Sequence, residues 1–168
     1  MSTIQAVASE LCLNVREQAR VWQRLLDLSI AQLKALQVQD VHAVHAVLQE
    51  LEVAMLDRSR TEVRRGMLLT QAAGLLGLPL ESLTRDVIVT YCEPELANEL
   101  VTASEELRSL VVELDAVVAR NSALLQQELQ IIEVLVKGAT VDTSVRATYG
   151  KHGMQQEAPR LRLLDAQV

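Results

Sequence analysis

Phenylalanine is absent from this sequence, and Trp22, Tyr91 and Tyr149 are its only aromatics among 168 residues. Base-stacking surfaces and small-molecule pockets both draw on aromatic side chains, so the composition is poor for either. Net positive charge is missing too. The formal charge is -6, which argues against nonspecific nucleic-acid binding, because that needs a basic field. Charges interrupt every apolar stretch before it reaches membrane-spanning length. The opening Met-Ser-Thr-Ile-Gln has no basic region followed by an apolar run, so no secretory signal is read there. Cys12 and Cys92 are the only cysteines. In a chain read without a signal, they are expected to be reduced thiols of a cytoplasmic protein.

Catalytic and metal-binding patterns are missing as well. The sequence has no glycine-rich phosphate loop, no nucleophile elbow and no paired-cysteine motif. His42 and His45 stand three apart, a spacing that can share one helix face. A bundle metal site also wants a carboxylate three residues before a histidine. Gln39, His42 and Tyr149 occupy those positions before His42, His45 and His152. The expectation is a protein without catalytic residues, metal or cofactor.

What the sequence does hold is leucine, valine and alanine at helical spacing. From Pro94 to Gly138 apolar residues recur at Leu96, Leu100, Ala103, Leu107, Leu110, Leu114, Val117, Leu124, Ile131 and Leu135. Steps of four and three make a heptad seam. Val111, Val118, Leu125 and Ile132 widen it, which suits a helix in a bundle. Pro94 can open this helix, and Lys137-Gly138 can close it. At about 1.5 Å per residue it would run roughly 65 Å and need long neighbours.

Two such neighbours precede it. A first helix is expected over about Thr3–Leu36, with Leu11, Val15, Trp22, Leu26, Leu33 and Leu36 on one face and Trp22 in the core. Asp40 is a plausible N-cap for a second. There Val41, Val44, Leu48, Leu51 and Met55 keep the spacing as far as a charged turn, Asp57 to Arg65. That turn reads either as a solvated segment, with Asp57 and Glu62 beside its arginines, or as a dock for an acidic surface. Gly77-Leu78-Pro79 ends the helix. Leu80 to Tyr91 reads as a short helix. Its Val87–Tyr91 stretch would suit a strand, but nothing could pair with it.

Asn121 and Glu128 interrupt the seam where apolar residues are due. Each either fixes helix register or faces a partner where the bundle is open. After Gly138 the composition thins, with Gly150, Gly153 and Pro159 among scattered charges. Val141, Val145 and Tyr149 form a weak helical stripe, and Leu161, Leu163 and Leu164 a terminal apolar cluster. The expectation is all-α: an antiparallel bundle of three long helices with a short connecting helix and a flexible C-terminal tail. Residues 1–138 would form the bundle domain and 139–168 a mobile tail that orders on a partner.

Four stretches carry a resemblance: Thr148-Tyr149-Gly150-Lys151-His152-Gly153, then Arg160-Leu161-Arg162-Leu163-Leu164-Asp165, the break Leu76-Gly77-Leu78-Pro79, and Asn121 followed by Leu124 and Leu125. With an early long helix ending before Asp40, the chain resembles the FlgN family of flagellar type III export chaperones. The resemblance implies a cytoplasmic protein that binds flagellar hook-associated subunits of the hook–filament junction. It would keep them from assembling early and deliver them to the flagellar export apparatus. It also implies cargo binding in the C-terminal region. Val141, Val145, Tyr149, Leu161 and Leu164 are the candidate partner-binding residues there, anchoring by helix-type recognition. The alternative reading is a structural or adaptor coiled coil in which the long helix self-associates.

Overall fold

A computed structural model describes the chain from Thr3 to Arg146, with side chains through Lys137. Helix α1 spans Thr3–Gln37, α2 Val41–Leu76, α3 Arg85–Val89 and α4 Pro94–Arg146. A 3₁₀ turn at Leu80–Ser82 precedes α3. There is no strand among the described residues. The chain divides into two units, Met1–Gln127 and Glu128–Val168.

The helix ends of the first unit follow from local chemistry. Gln39 takes a left-handed φ of 56° to turn the chain between α1 and α2. The Asp40 carboxylate then accepts from the Ala43 amide at 3.0 Å, satisfying one of the donors a helix start leaves open. Gly77 closes α2 with φ 65°, a conformation that costs a glycine little. Thr84 caps α3 by accepting from the Val87 amide at 3.3 Å. The Val87–Tyr91 stretch is therefore helical at its start, as its lack of a pairing strand requires.

α1 and α2 pack as an antiparallel pair, and α4 runs alongside α1 in the same direction. One apolar cluster brings Val7, Leu11 and Val15 against Leu68, Ala72, Ile88 and Leu100. A second brings Ala19, Leu25 and Leu26 against Ala54, Leu110 and Leu114. Each fully buried leucine here is worth roughly 1.5–3 kcal/mol relative to exposure. Gln5 ties the α3–α4 connection to the start of α1. Its amide nitrogen donates to the Tyr91 carbonyl at 3.0 Å, and its oxygen accepts from the Glu93 amide at 3.4 Å.

A polar layer lies in the α1–α2 seam, in sequence between the two clusters. Asn14, only 1% exposed, and Gln18 both donate to the Thr61 carbonyl, at 3.2 and 3.3 Å. The two amides, one turn apart on α1, converge on a single backbone carbonyl of α2 and tie the pair together at this level.

Three expectations need correcting. Gly138 does not stop the last helix, which continues to Arg146. A glycine inside a helix costs only about 1 kcal/mol, and each further residue gains a backbone bond. Trp22 is half-buried rather than central. It packs on the rim of the second cluster with the Arg58 guanidinium 4.9 Å from its ring centre. Val41, Leu48 and Met55 are exposed, not core. α2 instead turns Ala54, Thr61, Ala72 and Ala73 inward, where small side chains let the helices approach closely.

Candidate partner-binding surface

The α4 seam changes character along its length. Leu100, Ala103, Leu110 and Leu114 are buried against α1 and α2. At Asn121 the helix is pinned to α1: Nδ2 donates to the Ser29 carbonyl at 2.9 Å and to Gln32 Oε1 at 2.8 Å. Asn121 is 3% exposed, so the bundle is closed at this break and not open to a partner. Its Oδ1 has no hydrogen-bond partner among the described residues.

Beyond that pin Leu124 is half-buried, and the large apolar residues that follow it face solvent. Leu125, Leu129, Ile131, Ile132, Val134, Leu135 and Val136 are all exposed, Leu135 to 66%. Seven large apolar side chains are exposed within twelve residues, with Leu125, Leu129, Ile132 and Val136 at the helical spacing of one face. Glu128 is half-buried and makes an interaction of its own. Helical spacing of such residues is what a partner helix or groove recognises, and no catalytic group is needed for it.

Of the five residues nominated from sequence, Val141 and Val145 fall on the helical backbone of α4, their side chains outside the described residues. Tyr149, Leu161 and Leu164 lie outside the described residues altogether. The exposed patch from Leu125 to Val136 leads directly into the Val141–Val145 segment along the same helix. Sequence reasoning had counted Leu125, Ile131, Ile132 and Leu135 as bundle seam. Their signal was in view: the breaks at Asn121 and Glu128 mark where the buried seam gives out.

The remaining polar candidates are accounted for structurally. In the charged turn, Arg60 pairs with Asp57 at 3.3 Å, Arg58 with Glu62 at 3.9 Å, and Arg64 with Glu17 at 3.7 Å. Arg24 also approaches Asp57, at 3.9 Å. Such exposed pairs contribute little stability each. His42 and His45 are exposed, and His45 meets Gln49 at 3.4 Å. Among the described residues no cluster of His, Cys, Asp and Glu could hold a metal ion. Both cysteines are free. Burial pushes the Cys12 thiol up, with Arg16 pulling it back and Glu99 adding to the rise. Burial also raises Cys92, and Cys12 raises it further. Thiols held protonated in this way are poor nucleophiles. No described helix is long and apolar enough to cross a membrane.

Among the described residues the protein is an all-α bundle whose last helix exposes large apolar residues from Leu125 to Val136. The family model described as FlgN protein matches residues 1–157 of the chain's 168, so the chain belongs to the FlgN family, whose members are flagellar export chaperones. No curated protein and no solved structure matches it.

Proposed function

We propose that this protein is a cytoplasmic export chaperone that binds flagellar hook-associated subunits of the hook–filament junction and hands them to the export apparatus. It acts by binding alone, without catalysis or cofactor. The observation that carries the reading is the family match, which runs through the exposed end of α4 and on to residue 157. The exposed apolar patch from Leu125 to Val136 supports it physically. The cargo element is residues 139–168, anchored by Val141, Val145, Tyr149, Leu161 and Leu164, and the patch extends it along α4. Residues 1–138 are the scaffold. An exposed helical seam can cover apolar helices of a partner by coiled-coil-like contact.

The test is calorimetric titration of hook–filament junction subunits into the full chain and into a truncation ending at Lys137. The expected result is a greatly weakened interaction for the truncation with an unchanged thermal melt. Undiminished binding by the truncation would contradict the placement of the cargo element. The same exposed patch also favours self-association. An oligomer that dissociates on Ile132→Glu, in a protein indifferent to junction subunits, would establish that second reading instead.

A further inference from the structure

A cleft in the first unit, separate from the α4 patch, opens onto the larger apolar cluster. Its volume is about 140 Å³, close to the size that holds a benzene ring in a protein core. Leu11, Leu83, Ile88 and Leu100 form its buried lining, and Arg65, Thr84 and Arg85 its exposed lining. These come from all four helices and the connection between α2 and α3.

The charges at the cleft are unevenly committed. Arg85 is held by Asp86, its neighbour, at 3.0 Å. Arg65 has no ion-pair or hydrogen-bond partner among the described residues, although Arg58, Arg60 and Arg64 in the same turn all do. The Thr84 hydroxyl oxygen accepts from the Val87 amide, which leaves its proton to donate. A neutral apolar group would have no use for the arginine. A bare anion would have no use for the leucine-lined floor.

We infer that this cleft is a docking site for a protein partner that presents a leucine- or methionine-sized side chain beside a carboxylate. The apolar side chain fills the cleft over Leu83, Ile88 and Leu100. The carboxylate accepts hydrogen bonds from Arg65 and Thr84, where a charge-assisted bond is stronger than a neutral one. Asp86 is occupied by Arg85 and does not oppose it at close range. The site lies wholly within the first unit and does not depend on the cargo reading.

The experiment is a ¹⁵N-detected NMR titration of the full chain with three capped peptides: acetyl-Glu-Leu-Glu-amide, acetyl-Gln-Leu-Gln-amide and acetyl-Glu-Ala-Glu-amide. The first should shift the amides of Leu83, Arg85, Ile88 and Ser104 saturably. The other two should bind at least about fivefold more weakly, having lost the carboxylates or the apolar side chain. Arg65→Gln, an exposed change, should bring the first peptide down to the affinity of the second. Ser104→Leu, which plugs the cleft, should abolish the shifts. Absence of saturable shifts, equal binding of the three peptides, or indifference to Arg65→Gln would each overturn the proposal.

Discussion

Two stretches of α4 are written in the same alphabet and end in opposite environments. Leu100, Ala103, Leu110 and Leu114 follow the four-three spacing and are buried; Ile131 and Leu135 continue that spacing and are exposed. Spacing tells which residues share a face of a helix. It does not tell whether anything lies against that face. Opposite the first stretch stand Val7 to Leu26 of α1 and Ala54 to Ala73 of α2, and burial follows. The second stretch carries the same residue types without that burial.

The contrast can be sharpened by mutation, beginning with the largest effect. Leu100→Ala, at a site 1% exposed, should cost roughly 2–5 kcal/mol in a urea titration, with Leu114→Ala close behind. Asn121→Asp removes both donated hydrogen bonds and sets a buried carboxylate against the Ser29 carbonyl. It should cost about 3 kcal/mol at neutral pH. Asn121→Leu should be far milder, since it also removes the unpartnered Oδ1. A loss as large as that of Asn121→Asp would show that the donated bonds matter more than burial of the side chain.

Alkaline pH should act on the packed region through its two thiols. Cys12 and Cys92 both have thiol pKa values raised by burial above the ordinary 9.0. A raised acid favours its protonated form in the fold. The stability it contributes is intact below the ordinary thiol value and is lost as pH rises from there through the raised one. Urea midpoints measured from neutral pH upward should fall in that window, and a Cys92→Ala variant should fall less. The smallest effect belongs to the exposed stretch: Ile132→Ala should leave the midpoint within about 0.5 kcal/mol of the parent. A loss of 2 kcal/mol or more would mean that this residue is packed, and the contrast between the two stretches would fail.

The sequence made the helix starts plain where a side chain announces them: Asp40 caps α2, Pro94 opens α4 and Gly77 closes α2 as expected. The end of α4 was not legible. One glycine costs only about 1 kcal/mol in a helix, and continued backbone hydrogen bonding outweighs it. The inward face of α2 was misjudged for another physical reason. Apolar size drew attention to Val41, Leu48 and Met55, whereas close helix approach selects Ala54, Thr61, Ala72 and Ala73. The polar layer at Asn14 and Gln18 escaped notice because an apolar pattern has no place for amides that donate to a backbone carbonyl of the facing helix. Of the exposed residues, Leu125, Ile131, Ile132 and Leu135 read as bundle seam, and Leu129, Val134 and Val136 stand outside the pattern.

The central claim is that the exposed apolar face of α4 binds protein and does not hold the fold together. Its most direct test is a Leu129→Glu, Ile132→Glu, Val136→Glu triple variant of the full chain, compared with the parent by thermal melting and by calorimetric titration with hook–filament junction subunits. The account predicts an unchanged melting temperature and binding reduced at least about a hundredfold, because several apolar anchors are lost together. Parent-like binding, or a melt that collapses with the substitutions, would contradict it.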